Sequence, residues 1–209
     1  NHIESKNCAA SICDDKQEQM ICNTIVAALK QGLGKSTHVT ALCDGAANCW
    51  NVAEAIRPLC GSMTSILDWF HIAMKIENIS LPEQLKEKLL NVKWYLWRGK
   101  IEEALERLTQ LVTLAKDEKH IDRINKLYNY ITNNRDKIVN YEERQQAGLV
   151  FTSNLAESTV ESLINRRCKG HRHMRWSRDG LNPLLQIRAA LYSQGEWSNK
   201  WQTAVLNAA

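Results

Sequence analysis

Two aspartates, Asp44 and Asp68, each close a short apolar segment and could take part in chemistry. Asp44 directly follows the run Val39–Cys43, and Asp68 directly follows the run Ser65–Leu67. The two aspartates are 24 positions apart (68 − 44). A third acid, Glu157, lies far downstream, just before a cationic stretch. Carboxylates at strand ends and on a helix, beside a basic surface, are typical of a metal-dependent enzyme that acts on phosphodiesters.

Such chemistry needs few ligands. Mg²⁺, or Mn²⁺ in its place, prefers oxygen ligands and keeps several waters, so a few carboxylates suffice. The candidates are Asp44 with either Glu157 or Glu161, which lies one helical turn later on the same face. Two structural alternatives stay open. Asp44 could simply start an Asp-Gly turn, and Glu157 could close a capping box with Asn154.

Asp68 and His71 form a second candidate pair. Their i, i+3 spacing places both on one side of a helical turn. There the imidazole could hydrogen-bond the carboxylate or face a scissile phosphate. A buried Asp–His pair that only positions the helix is an equal alternative, so we interpret this pair as close to the active site rather than metal-binding.

A basic segment between Ser162 and Arg178 contains no acid. Its six cationic residues are Arg166, Arg167, Lys169, Arg172, Arg175 and Arg178. The net charge of the whole chain is only +4, so this local excess says more than the total does. It predicts phosphate contacts along DNA, and the structural alternative is a solvated charged face.

Four motifs together resemble bacterial insertion-sequence transposases of the RNase H-like DDE class, close to the Kra-type and Mutator-like groups. In chain order they are Cys43-Asp44-Gly45-Ala46, Leu67–His71, Ala156-Glu157-Ser158 and Met174–Gly180. The resemblance covers roughly residues 20–200. The family pattern Ser-x-x-x-Glu-Ser falls on Ser153–Ser158, which selects Glu157 over Glu161.

This resemblance implies an enzyme that cleaves transposon-end DNA and transfers the strand to target DNA. It implies that Asp44 and Glu157 are catalytic and hold Mg²⁺ or Mn²⁺, that Asp68 and His71 lie at the active site, and that the active form is a homo-oligomer. The implied fold is α/β, an RNase H-like core that is incomplete at the N-terminus, with an all-α insertion before the last acid.

The chain departs from the family in two respects. It has Asn154-Leu155 where the family usually has Gly and a small residue, and no upstream acid ends an apolar strand. The acids that precede Asp44 are Glu4, Asp14, Asp15 and Glu18. We therefore expect the carboxyl-terminal part of a transposase, without the first catalytic Asp and inactive alone. The alternatives are an inactive or domesticated DNA-binding remnant and an RNase H-like nuclease without strand transfer.

The elements that must position these residues follow from periodicity. Apolar spacing predicts a helix from Gln17 to Gly32, a strand at 39–43, a helix at 48–56 and a strand at 65–67. This order suggests parallel βαβ wiring. Three amphipathic stripes between residues 72 and 140 predict a helical bundle.

Later in the chain, a helix at about 154–167 is expected, and then one that begins at Asn182, which can cap it, with Pro183 at its first position. The predicted domains are 1–71, the first part of the core; 72–145, the helical insertion; and 146–209, the catalytic helix with the DNA-contacting segment. Residues 1–16 are polar and irregular, and we expect a frayed leader.

Composition sets the remaining bounds. The 209 residues are 44% hydrophobic and 24% charged, as in ordinary globular proteins. No apolar run approaches the length of a membrane span, and no signal peptide is visible. The seven cysteines form no Cys-x-x-Cys pair, which favours reduced thiols. We expect a cytoplasmic, nucleoid-associated protein without a membrane partner.

Overall fold

The computed structural model describes residues 6–13, 15–165, 168 and 175–193. Its class is mixed α/β, as predicted, and mostly helical. Two strands, β1 (His38–Cys43) and β2 (Ser62–Leu67), form a parallel pair. In the described residues the α-helices are α1 (Glu18–Lys30), α2 (Ala47–Ile56), α3 (Trp69–Glu77), α4 (Glu83–Trp97), α5 (Ile101–Leu114), α6 (Glu118–Asn133), α7 (Tyr141–Gln146), α8 (Asn154–Val160) and α9 (Arg178–Tyr192).

The predicted alternation of helix and strand in the first third of the chain is confirmed. β2 begins at Ser62, three residues (65 − 62) before the predicted start. The two strands run in register, because Gly61 N–H donates to the Thr37 carbonyl at 2.9 Å and Asp68 N–H donates to the Cys43 carbonyl at 2.8 Å. Both strands therefore end at the same edge, which brings Asp44 and Asp68 to neighbouring positions.

By their contacts, the residues fall into two compact units. The first unit comprises Asn1–Val39, Trp50–Met63 and Asn154–Ala209, and the second comprises Thr40–Cys49 and Thr64–Ser153. The domain boundaries after residues 71 and 145 stay a prediction, as does the finer RNase H-like assignment.

Helices α4, α5 and α6 confirm the three predicted stripes and supply the core of the second unit. Their apolar faces pack together and are almost fully buried; α4 contributes Leu89, Val92 and Leu96, α5 contributes Ala104, Leu105, Leu108 and Leu111, and α6 contributes Ile124, Leu127 and Ile131. Their outer faces are mostly charged or polar, although Leu90, Trp94 and Leu114 are exposed.

An aromatic cluster in the second unit fixes the chain on either side of Asp68. Trp69 at the start of α3 lies 4.8 Å from Trp97, at the end of α4, and 4.9 Å from Tyr141, at the start of α7, between ring centroids. Phe151 packs edge-on against Trp97 at 5.5 Å. The cluster joins three helix ends and the segment before α8, so the backbone around Asp68 is held by packing on several sides.

In the first unit, residues 6–12 are partly or fully buried, so the expectation of a frayed leader is wrong for them. Ala10 is buried among Leu163, Leu185 and Ala189. The Ala10 carbonyl accepts hydrogen bonds from the side chains of Asn23, at 2.9 Å, and of Gln186, at 2.7 Å. Every second residue of this polar-looking segment, namely Cys8, Ala10 and Ile12, packs in the same cluster, which includes Leu185 and Ala189 of α9.

The start of the last helix also differs from the prediction. Helix α9 begins at Arg178 with Ser177 as its N-cap, whose hydroxyl accepts from Gly180 N–H at 3.1 Å. Pro183 therefore lies inside the helix. Asn182 does not cap it, because its side-chain oxygen accepts from Ile12 N–H at 3.3 Å. Ser177 lies upstream of the predicted start signals, Asn182 and Pro183, and its hydroxyl already satisfies a backbone N–H of the first turn.

The late helix predicted at 154–167 has two parts. Residues 154–160 are α-helical as α8, and Glu161–Asn165 form a π-helical turn. Residues 166 and 167 lie outside the described residues. None of the described helices is long and apolar enough to cross a membrane.

Candidate active site at the carboxyl ends of the two strands

Asp44 is held in a tight turn at the end of β1. Its Oδ1 accepts from Ala46 N–H at 2.9 Å, and its carbonyl accepts from the Tyr130 hydroxyl at 2.7 Å. Gly45 has a φ of +93°, and a Cβ at this position would lie 2.7 Å from Tyr130 Cε2 and 3.0 Å from Leu67 Cδ1. Only glycine fits there. The turn of Asp44 is thus fixed against α6 and β2.

Two thiols next to Asp44 stay protonated near neutral pH. Burial, the negative charge of Asp44 and a hydrogen bond to it raise the pKa of Cys49 to about 11. Burial, Cys49 and Asp44 raise the pKa of Cys43 to about 12. Since the thiolate is the form that attacks or binds metal, these cysteines are neutral neighbours. The carboxylate of Asp44 is the side-chain oxygen ligand that this turn offers, and oxygen is the ligand type that Mg²⁺ prefers.

Asp68, at the end of β2, is only 1% exposed and accepts four hydrogen bonds. Oδ1 accepts from Ser153 N–H at 2.9 Å and from Phe70 N–H at 3.3 Å. Oδ2 accepts from the Ser153 hydroxyl at 2.6 Å and contacts His71 Nδ1 at 2.5 Å. Burial alone would raise the pKa of Asp68, but these hydrogen bonds outweigh it and lower the pKa below its usual value.

The ionised Asp68 fixes the orientation of His71. A carboxylate can only accept, so His71 Nδ1 must carry the hydrogen that it shares with Oδ2. The imidazole is 23% exposed. Nε2 is the second polar atom of the ring. The i, i+3 spacing in the sequence predicted this pairing of Asp68 with His71, and it is confirmed.

Asp68 has no lone pair left for a metal, because a carboxylate offers about four acceptor positions and four donors fill them. Its role is positioning. It orients His71 on α3 and holds Ser153, the residue immediately before α8. Sequence reasoning missed Ser153 as its partner, since 85 positions separate the two. The one available signal was the serine that opens the Ser-x-x-x-Glu-Ser pattern.

Two tyrosines, also missed by sequence reasoning, support the strand ends. The hydroxyl of buried Tyr141 donates to the Leu67 carbonyl at 2.7 Å. Burial, Asp44 and Asp68 together raise the pKa of Tyr130. Both aspartates therefore act on one phenol and share one electrostatic environment. Lys75 Nζ lies 4.6 Å from the centroid of the Tyr130 ring and adds a positive charge on that side.

The structure places Asp44, Asp68 and His71 together in the second unit, whereas Glu157 is exposed on α8 in the first unit. Its rival Glu161 accepts from the Asn165 side chain at 2.7 Å within the π-helical turn. Among the described residues no group of three His, Cys, Asp or Glu side chains could hold a metal ion. Asp44 has the oxygen chemistry that Mg²⁺ prefers, but this fit is partial.

Of the predicted DNA-contacting residues, two are described. Arg175 is exposed, and Arg178 is exposed as the first residue of α9. Arg166, Arg167, Lys169 and Arg172 lie outside the described residues.

The pH dependence of stability should report the Asp68 network. Asp68→Asn should lower the free energy of unfolding at neutral pH by roughly 1.5–3 kcal/mol, since the charge that binds the donors is gone. The folded pKa of Asp68 lies below the reference value of 3.8, so its stabilisation is present above that value and is lost as pH falls through the folded pKa. Urea unfolding of both proteins should show their difference shrinking towards acid.

The control is Asp136→Asn. The carboxyl pKa of Asp136 is also lowered, chiefly by its hydrogen bond with Lys137, but its side chain is 70% exposed. This change should therefore cost less than about 0.5 kcal/mol at any pH. A gap between wild type and Asp68→Asn that is equal at neutral and acidic pH would contradict the proposed network.

Comparison with known proteins identifies a family. The model of the family described as "Uncharacterised protein family (UPF0236)" matches residues 36–203, a span that includes both strand-end aspartates, α8 and α9. No curated protein matches the chain, and no solved structure matches it. The match extends over 168 residues (203 − 36 + 1) of 209, so the chain belongs to the uncharacterised family UPF0236.

Proposed function

We propose that this protein is the catalytic part of a DDE-class transposase, with an RNase H-like core, that cleaves transposon-end DNA and joins its 3′-hydroxyl to target DNA. The observation on which the proposal rests is the placement of Asp44 and Asp68 at the ends of two adjacent parallel strands, with His71 fixed by Asp68. Carboxyl ends of parallel strands are where α/β proteins build their sites. The four ordered sequence motifs support the same assignment.

In this proposal the two strand-end aspartates have different tasks. Asp44 and Glu157 would hold Mg²⁺ or Mn²⁺ through their carboxylate oxygens, and a bound ion would supply activation of the attacking oxygen and charge stabilisation of the leaving oxygen. Asp44 suits this task because its turn is rigid and its Oδ1 has one backbone partner. Asp68 keeps its charge buried and acts only through the groups that it holds.

His71 is the proposed contact to the reacting DNA. With Nδ1 bound to Asp68, the ring presents Nε2 as its second polar atom. That nitrogen can donate a hydrogen bond to a phosphate oxygen when protonated or accept a proton when neutral. Because Asp68 and the aromatic cluster fix the start of α3, the ring is positioned before substrate binds.

DNA is the proposed partner, both as transposon ends and as target. The basic segment from Arg166 to Arg178 supplies cations for phosphate contacts. A homo-oligomer is the proposed active form, since paired transposon ends need paired active sites, and association with the nucleoid follows from the partner.

Shared metal binding tests the catalytic assignment. Asp44→Asn and Glu157→Gln should each weaken Mn²⁺ binding, measured by electron paramagnetic resonance, by at least the roughly 10–100-fold typical of losing a supporting group. The double variant should lose little more than either single variant, because one ion needs both ligands. Glu161→Gln is the matched control and should leave the affinity unchanged, since its carboxylate pairs with Asn165.

Three results would count against the assignment. Additive losses of Mn²⁺ affinity in the Asp44 and Glu157 variants would mean that the two residues bind separate ions. A loss of affinity in Glu161→Gln alone would assign the catalytic role to Glu161, one helical turn after Glu157. Normal DNA binding with no Mn²⁺ site at Asp44 would favour the DNA-binding remnant.

Salt dependence tests the basic segment. Replacing Arg166, Arg167 and Lys169 with Ala should weaken duplex binding equally for all sequences. The slope of log affinity against log salt should flatten by about 0.9 for each phosphate that the variant no longer neutralises. As a control with equal charge loss, alanine replaces the exposed lysines Lys86, Lys116 and Lys119. An unaltered slope in the first variant would mean that the segment is a solvated charged face that does not contact DNA.

A further inference from the structure

The second unit has a groove between α4 and α5, and none of the described residues that line it belongs to the proposed active site. It is open to solvent, and its volume is about 810 Å³. Among the described residues that line it are three cations, Lys88, Arg98 and Arg107, and no carboxylate. A groove with cations and no lining acid attracts a polyanion.

An indole stands in this groove. Trp94 is 55% exposed, although α4 buries Leu89, Val92 and Leu96 on its other face. Tyr95 lines the groove beside it. A large aromatic surface that stays in water offers a flat apolar face to a ligand, and base–aromatic stacking is worth roughly 1–3 kcal/mol per base.

The cations are able to receive phosphates. Arg98 has an ion pair with Glu142 at 3.5 Å, in which both side chains are more than one third exposed. Such a pair contributes little and can exchange. Arg107 Nη1 donates to the Gln110 side chain at 3.0 Å. A guanidinium has five donors, so this bond orients Arg107 and leaves other donors for a ligand.

We propose that the groove between α4 and α5 binds single-stranded nucleic acid, with Trp94 stacking on an unpaired base and Lys88, Arg98 and Arg107 binding the phosphates around it. A single strand is favoured over a duplex because a duplex hides its base faces in the stack. It is favoured over an acidic peptide because an acidic peptide supplies charge without a partner for the indole. This inference is independent of the transposase proposal, since it rests on the groove alone.

Binding of fluorescent oligo(dT) and oligo(U) to the full chain, followed by anisotropy, tests the proposal. Trp94→Ala should raise the Kd about ten-fold, and Lys88→Ala should reduce the salt slope by about 0.7. Leu90→Ala and Lys86→Ala are matched controls on α4, because both side chains are exposed but do not line the groove. Both controls should bind like the wild type. The dT and U arms distinguish DNA from RNA as the natural source.

A second measurement locates the ligand directly. Photocrosslinking with 5-iodouracil in the oligonucleotide should attach it at Trp94, as mapped by mass spectrometry, whatever the basic segment contributes to total affinity.

Four results would overturn the proposal. The first is the absence of crosslinks in α4 and α5, and the second is an equal loss of affinity in the groove variants and the control variants. The third is binding of a poly-glutamate peptide that depends on Trp94 in the same way. The fourth is self-association that Trp94→Ala abolishes while oligonucleotide binding is unchanged.

Discussion

A carboxylate that is only 1% exposed must be compensated within the fold, and the hydrogen bonds to Asp68 are the interaction on which the rest of the site depends. Its donors come from two places that are far apart in sequence, the first turn of α3 and Ser153. Leaving a buried polar group without its partner costs about 1–3 kcal/mol, and more when the group is charged. One carboxylate thus joins the end of β2, the ring of His71 and the segment that leads into α8.

The two strand-end aspartates differ in burial and in the number of hydrogen bonds that their carboxylates accept. Asp68 is saturated and closed, and Asp44 lies half-buried at the end of β1, where one oxygen is held by the turn. The close fit of Gly45 against Tyr130 makes that turn rigid. A site of this kind combines a fixed positioning charge with an accessible ligand group, and the proposed phosphodiester chemistry requires both.

Local pattern was sufficient for much of the fold and for less of the site. The strand before Asp44 and helices α4 to α6 follow from periodicity, because each buries a stripe that its own residues define. The Asp68–His71 pair follows from i, i+3 spacing. Ser153 and Tyr130 did not follow, since packing brings them to the aspartates from 85 and 86 positions away. The start of helix α9 could not be predicted because Ser177 competes with Asn182 for the cap, and tertiary contacts decide between them.

The tautomer of His71, read by ¹⁵N nuclear magnetic resonance, shows whether an ionised Asp68 fixes the imidazole ring. At a pH where the ring is neutral, the wild type should carry the ring hydrogen on Nδ1 and not on Nε2. In Asp68→Asn, whose side chain can donate as well as accept, this preference should weaken. A wild-type His71 with the hydrogen on Nε2 would contradict this role of Asp68, because Nδ1 could then no longer donate to the carboxylate.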